Sequence, residues 1–231
     1  MRFEKNTIFH IYNQGNNRQQ IFFNHENYLF FLRKMRDYVC PYGDFLCYCL
    51  MPNHFHWLVY VRETVLEVPL SSEEDGTRQG FLGSRISHRV ASSDPVANPA
   101  TQKSLAMSSN LSLQTKQRTL NQSIAILLRS YAQAINKQEN RSGSLFRQNT
   151  KAKDGWEDPY LTPLHPDYGK VWQNWELYGH TCFHYIHDNP VEAGLVGASE
   201  DWEYSSASDF AGLRKGTLCN QELAKELLFL R

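Results

Sequence analysis

The sequence has no excess of either charge. Twenty-four Lys and Arg balance twenty-four Asp and Glu over 231 residues, and the pI is near 7.1. Net charge therefore gives no support to a polyanionic partner, and any such contact must come from local patches. Long hydrophobic runs are also missing. The longest apolar stretches, around Phe45–Met51 and Phe55–Val61, are too short to span a bilayer. The opening MRFEKNTIFH has no apolar core of signal-peptide length, so a cytoplasmic chain is expected. Cysteine is sparse and oddly counted, five in all with no CxxC pair. No zinc-finger spacing exists. Cys47 and Cys49 stand two apart in an apolar run, on one face of any strand there. A reduced, mostly buried set fits that pattern. The sequence has no internal repeat.

Core-forming residues are present in quantity. Hydrophobic residues make up 41% of the chain and aromatics 13%, which excludes a wholly disordered protein. The length suits one compact domain with an appendage or a long insertion.

Residues 8–14 (IFHIYNQ) read as a first strand, followed by a turn at GNNRQQ. Asn24 caps a helix through HENYLFFLRKMRDYV, where Tyr28, Phe31, Leu32, Met35 and Val39 recur at helical spacing. Pro41 and Gly43 end it. FLCYCLM (45–51) and HFHWLVYV (54–61) are strands joined by a Pro52-Asn53 hairpin turn. Residues 63–118 are Ser- and Thr-rich with weak periodicity and read as an insertion or loop, with room for short helices within 77–90. Residues 119–138 form an amphipathic helix with Ile124, Leu127, Leu128, Tyr131 and Ile135 on one stripe, which makes Tyr131 a core residue. SLFRQNTKAK (144–153) reads as a fourth strand. A last long helix near 171–189 is expected to end before Pro190, and ELAKELLFL forms a short carboxy-terminal helix.

This order predicts an α+β chain, a ferredoxin-like (RRM-like) antiparallel sheet with helices on one face and a long insertion after the third strand. The main domain spans 1–210 and a helical tail spans 211–231.

Three groups could carry chemistry. His54 and His56 alternate on a strand, so both imidazoles project to one side while Phe55 turns into the core. Two imidazoles so placed can grip a divalent cation, or they can pack without metal. In CFHYIHDNP, Tyr185 and Asn189 are four apart and share a helix face. A phenol is a weak nucleophile at neutral pH, but a metal that polarises a phosphate compensates. Asn189 offers a carbonyl oxygen as a third ligand. Core packing of the tyrosine is the bland alternative. From Thr119 to Lys153, six cations (Arg129, Lys137, Arg141, Arg147, Lys151, Lys153) stand against the lone Glu139. That stretch suits phosphate contact or a solvated helix face. Residues 154–210 are acidic by contrast, with Lys170 their one Lys or Arg.

Four blocks, taken together, resemble the HUH single-tyrosine transposase family, which includes REP-associated tyrosine transposases and insertion-sequence transposases. They are IYNQGNNRQQIF; Met51-Pro52-Asn53-His54-Phe55-His56-Trp57-Leu58-Val59; Arg141-Ser142-Gly143-Ser144-Leu145-Phe146-Arg147-Gln148; and Tyr185-Ile186-His187-Asp188-Asn189-Pro190-Val191-Glu192-Ala193-Gly194-Leu195-Val196. The resemblance covers about 1–61 and 119–210. It implies that His54, His56 and Asn189 bind Mg²⁺ or Mn²⁺ and that Tyr185 is the nucleophile. The implied chemistry is nicking and rejoining of single-stranded DNA through a covalent 5′-phosphotyrosine link. The implied substrate contains hairpins, the implied assembly is a homodimer, and the implied location is cytoplasmic, with the nucleoid. Arg129, Arg141, Arg147, Lys151 and Lys153 are the candidate DNA contacts. The chain departs from the family in its longer 63–118 insertion, its longer 154–172 link and Phe146 where Trp is common. Two other readings stay open. One is a DNA-hairpin-binding protein without catalysis. The other is a zinc-dependent hydrolase using His54, His56, His180 and His184.

Overall fold

The computed structural model describes residues 2–69, 114–154, 175–228 and 230. The first strand, β1, covers Thr7–Gln14. Helix α1, His25–Tyr38, starts where the Asn24 side chain accepts from the Asn27 amide, satisfying one of the free N–H groups of the first turn. Strands β2 (Gly43–Met51) and β3 (His54–Val61) follow, with Pro52-Asn53 as the whole connection. A ribbon of β4 (Val65–Pro69) and β5 (Thr115–Thr119) comes next. It occupies both ends of the expected 63–118 insertion. The short helices expected within 77–90 lie outside the described residues. Two compact units result, 1–66 with 118–231, and 67–117.

Helix α2, Leu120–Gln138, opens on a reciprocal cap between Thr119 and Gln122. Strand β6 is Lys151–Asp154. The main sheet has the order β2-β3-β1-β6, with antiparallel pairs throughout. That is the ferredoxin-like order.

Period-two alternation sorts the strands into two faces. Phe9, Ile11, Phe45, Tyr48, Leu50, Phe55, Trp57, Val59 and Val61 join Phe31, Met35, Ile124, Leu127 and Tyr131 in one core. The two crossover helices thus share a face, as the element order predicts. Tyr131 is fully buried there and donates its hydroxyl to the Ile21 carbonyl. The opposite face is not left open. Helix α3 (Trp175–Glu192) and helix α5 (Gln221–Leu228) cover it, with α4 (Ala207–Phe210) between them in sequence. Cys182, Phe183, Ile186, Ala224 and Leu228 pack there on Ile8, Leu46, Cys47, Cys49, Met51 and Leu58. Cys47 and Cys49 do share that face, and all five cysteines are free thiols, three of them buried.

Two expectations need correction. The fourth strand does not run from 144 to 153. Leu145 and Phe146 leave the ladder to fill the first core, keeping one bridge, Gly15 to Phe146. The Asn13 side chain then takes over the pairing, donating to the Arg147 carbonyl and to Thr150 Oγ1, and regular strand begins only at Lys151. The last helix does not stop at Asn189 either. It carries Pro190 inside its final turn and ends at Glu192. Gly194, at φ +67°, stops it. The Leu195 amide bonds the Pro190 carbonyl and the Gly194 amide bonds the Val191 carbonyl, the paired closure that a left-handed glycine allows.

After α3 the chain returns along β2, which would otherwise be an open sheet edge. The Leu50 amide bonds the Tyr204 carbonyl, Ser206 bonds Tyr48, and Asn220 bonds Phe45. These contacts anchor the segment that follows α3 on the strand next to β3. Among the described residues, no helix is long and apolar enough to cross a membrane.

Candidate metal and nucleophile site

The hairpin between β2 and β3 sets the first ligand. Asn53 occupies the turn, and its Oδ1 lies 2.6 Å from His54 Nδ1, while its amide nitrogen faces the Arg18 carbonyl. The loop after β1 locks onto the same turn. The Gly15 amide bonds the Asn53 carbonyl, and the Ile21 and Phe22 amides bond Pro52. Gly15 is required there, since a Cβ would sit 2.0 Å from the Gln19 carbonyl oxygen.

Oδ1 of Asn53 is only an acceptor, so His54 Nδ1 carries the proton and donates. The other nitrogen, Nε2, then holds a bare lone pair. It points at Asn189 Oδ1, 3.4 Å away. Asn189 is oriented by its own amide nitrogen, which donates to the Tyr185 carbonyl at 2.6 Å. Two acceptors therefore face each other with no proton between them. Burial lowers the His54 pKa, opposed by the Asn189 contact, so the ring is neutral near pH 7.

His56 sits one step further along β3 on the same face. The two rings meet edge to face, with centroids 5.1 Å apart. His56 is buried at 6% exposure. Burial first, then neighbouring His10 and His54, push its pKa down to about 2. Its Nδ1 lies 2.9 Å from His10 Nε2, which leaves Nε2 for the cavity side.

Tyr185 projects from α3 over these rings. Its ring centroid is 5.4 Å from that of His56 at 83°. It is 42% exposed, unusual for a tyrosine beside a core. Burial raises its pKa, with Asn189 opposing and Glu192 adding to the rise. The phenol is therefore protonated at neutral pH. A cavity of about 230 Å³ lies between Tyr185, His54 and His56, and is further lined by Tyr12, Asn13, Gln14, Arg147, Asn149 and Lys151. Among the described residues, no carboxylate lines it. Two acids of the acidic segment are used elsewhere: Asp209 pairs with Arg214 at 2.7 Å, and Asp188 accepts from Ser199.

The donor set fits a divalent cation. Metal–ligand distances of about 2.1 Å put adjacent donor atoms roughly 3 Å apart, and the facing His54 and Asn189 acceptors are close to that. Two neutral imidazoles and an amide oxygen would hold the ion, with the rest of its shell left for water or substrate oxygens.

The expected residues divide cleanly. His54, His56, Asn189 and Tyr185 come together. Arg147 and Lys151 join them in the cavity wall. Lys153 pairs with His10 across β1 and β6, on the same sheet face. Arg141 sits at the neighbouring turn, bonded to Gln19. Arg129 does not join them, because α2 packs on the opposite face. His180 and His184 contact each other, Nε2 to Nε2 at 3.2 Å. Among the described residues, no group of three or more His, Cys, Asp or Glu side chains is placed to hold a metal, so the four-histidine zinc cluster does not form. Sequence reasoning missed His10, Tyr12, Asn53 and Asn149. A histidine inside the apolar run IFHIY was the available signal for His10.

No family profile matches the chain, and no curated protein matches it. Among solved structures it is similar to a REP-associated tyrosine transposase bound to a REP hairpin, with 14% identity, a TM-score of 0.45, and coverage of 93% of this chain and 86% of that one.

Proposed function

We propose that this protein nicks and rejoins single-stranded DNA next to hairpins, with Tyr185 as nucleophile and a divalent cation held by His54, His56 and Asn189. The observation that carries this reading is the pair of facing acceptors, His54 Nε2 and Asn189 Oδ1 at 3.4 Å, under a half-exposed tyrosine. Structural histidines and asparagines normally satisfy one another with a proton between them. These two are instead each turned by a second bond, to Asn53 and to the Tyr185 carbonyl, so that their lone pairs converge.

The bound cation would supply charge stabilisation at the phosphate oxygens. The chain supplies the rest. Arg147 and Lys151 attract the backbone into the cavity. Tyr185 Oη attacks phosphorus, and its proton passes to water. The 3′ oxygen leaves and takes up a proton. The phosphotyrosine bond retains the energy needed for rejoining. Tyr12 stacks on His56, centroids 5.6 Å apart, and offers an aromatic surface on which an unpaired base could stack. The cation would be Mg²⁺ or Mn²⁺, as the motif resemblance implies. The motif resemblance supplies the hairpin preference and a homodimeric assembly.

The test is incubation of the protein with single-stranded hairpin DNA and Mn²⁺, followed by denaturing electrophoresis for a covalent adduct. The expected result is an adduct that Tyr185→Phe abolishes while DNA binding persists. An adduct that survives Tyr185→Phe overturns the assignment. Binding with no adduct from the unaltered protein supports a DNA-binding role without catalysis.

A further inference from the structure

We propose that His10 is a positioning residue: it holds His56 in the tautomer whose Nε2 lone pair faces the cavity, with Cys182 completing the hydrogen-bonded chain behind it. The inference rests on the metal-site reading above but makes a separate claim about protons in the metal-free protein.

The two imidazoles of β3 are oriented by different means. Behind His54 stands Asn53 Oδ1, an acceptor with no proton to give, so the His54 tautomer is set outright. Behind His56 stands another imidazole. His10 lies on β1, diagonal to His56 in the antiparallel ladder, where Tyr12 pairs with His56 and His10 with Leu58. The rings lie nearly parallel, centroids 5.1 Å apart at 28°, and His10 Nε2 is 2.9 Å from His56 Nδ1. That distance holds one proton. On its far side, His10 Nδ1 lies 4.0 Å from the buried Cys182 Sγ, a contact within reach of a sulfur hydrogen bond.

Two neutral arrangements satisfy the chain. In the first, His56 Nδ1–H donates to His10 Nε2, and His10 Nδ1–H donates to Cys182 sulfur. His56 Nε2 is then bare and can ligate. In the second, the Cys182 thiol donates to His10 Nδ1, and His10 Nε2–H donates to His56 Nδ1. His56 then carries its proton on Nε2 and cannot ligate. A thiol is a weak donor and an imidazole N–H a stronger one, so the first arrangement is favoured in the metal-free protein, and a bound cation would reinforce it. The buried acceptor at His10 Nε2 keeps that arrangement accessible, which an apolar neighbour could not do. Both His10 ring nitrogens are engaged, so His10 orients a ligand rather than being one, the role that outer partners of metal-bound histidines play elsewhere.

The test uses the full-length protein with ¹⁵N-labelled histidine. Imidazole ¹⁵N spectra of the metal-free protein report the His56 tautomer, and calorimetry reports Mn²⁺ affinity. His10→Phe removes the acceptor and keeps the aromatic bulk. His56 is expected to lose Nδ1 protonation in this variant, and Mn²⁺ affinity to fall about 10- to 100-fold. His10→Gln keeps an acceptor oxygen and should retain both the tautomer and an affinity within about threefold. If His10→Phe does not fold, His10→Leu, which likewise offers no acceptor, takes its place. An unchanged His56 tautomer in His10→Phe overturns the proposal, as does a loss in His10→Gln as large as in His10→Phe. If the unaltered protein binds no Mn²⁺, the metal-site reading fails, and the tautomer comparison still decides the role of His10.

Discussion

The two faces of one four-stranded sheet differ in kind. The face under α1 and α2 is aromatic and closed. Phe31, Phe55, Trp57 and Tyr131 are fully buried there and touch one another. The face under α3 and α5 is mixed. Toward β2 it is a second core of cysteines and aliphatics. Toward β1 and β6 it turns polar, with Tyr12, His54, His56 and Lys151 lining a cavity and His10 buried behind His56. The same strands build both, because neighbouring residues point opposite ways. Phe55 and His56 are adjacent in sequence and serve different purposes. Stability and chemistry are thus separated by one position in the strand rather than by domain or distance.

That separation can be broken by experiment. The largest effect belongs to the closed face. Phe31→Ala should lower unfolding free energy by about 3–5 kcal/mol, read from urea denaturation, with Mn²⁺ affinity of the folded fraction unchanged. A weaker affinity without a loss of stability would show the faces to be coupled.

Acid tests the second face. Burial lowers the pKa of His10 to about 4, with Lys153 contributing. It likewise lowers His187, bonded to Ser206, to about 4. These folded-state values lie below the unfolded value near 6.5. The unfolded chain therefore binds protons first as pH falls. Their stabilisation is complete above about pH 6.5 and is lost as pH drops from there toward 4, at about 1.4 kcal/mol per pH unit for each imidazole. His187→Gln should reduce the measured slope by about one proton. An equal slope in that variant would mean that His187 titrates alike in both states.

The smallest effect concerns charge. Lys151→Gln should weaken single-stranded DNA binding and reduce its salt dependence by about 0.7 in log–log slope. Arg129→Gln, on the far side of the sheet, should change neither. Titrations at several salt concentrations check both, and a similar change in the two variants would place DNA elsewhere.

Much of this arrangement is legible in the residues. Asn24 and Thr119 mark helix starts through caps that the structure contains. The Pro52-Asn53 turn fixes the β2–β3 register, and with it the shared face of His54 and His56. The spacing of four between Tyr185 and Asn189 puts them on one helix face. Local rules reached less far where a tertiary contact competed with them. The pull of the first core on Leu145 and Phe146 shortened β6. Gly194, not Pro190, ended α3. A proline removes one hydrogen bond and its predecessor prefers an extended backbone, but the last turn tolerated both because the following amides bonded back to Pro190 and Val191.

What the sequence by itself determined is the set of elements and the direction each reactive side chain takes from its own strand or helix, because alternation and helical pitch are properties of the backbone. Only the tertiary structure decided which of those side chains meet. The β1–β3 register brings His10 behind His56, and the packing of α3 on the sheet carries Asn189 and Tyr185 to His54. Those contacts join residues 46 and 135 positions apart, and no local rule spans such separations.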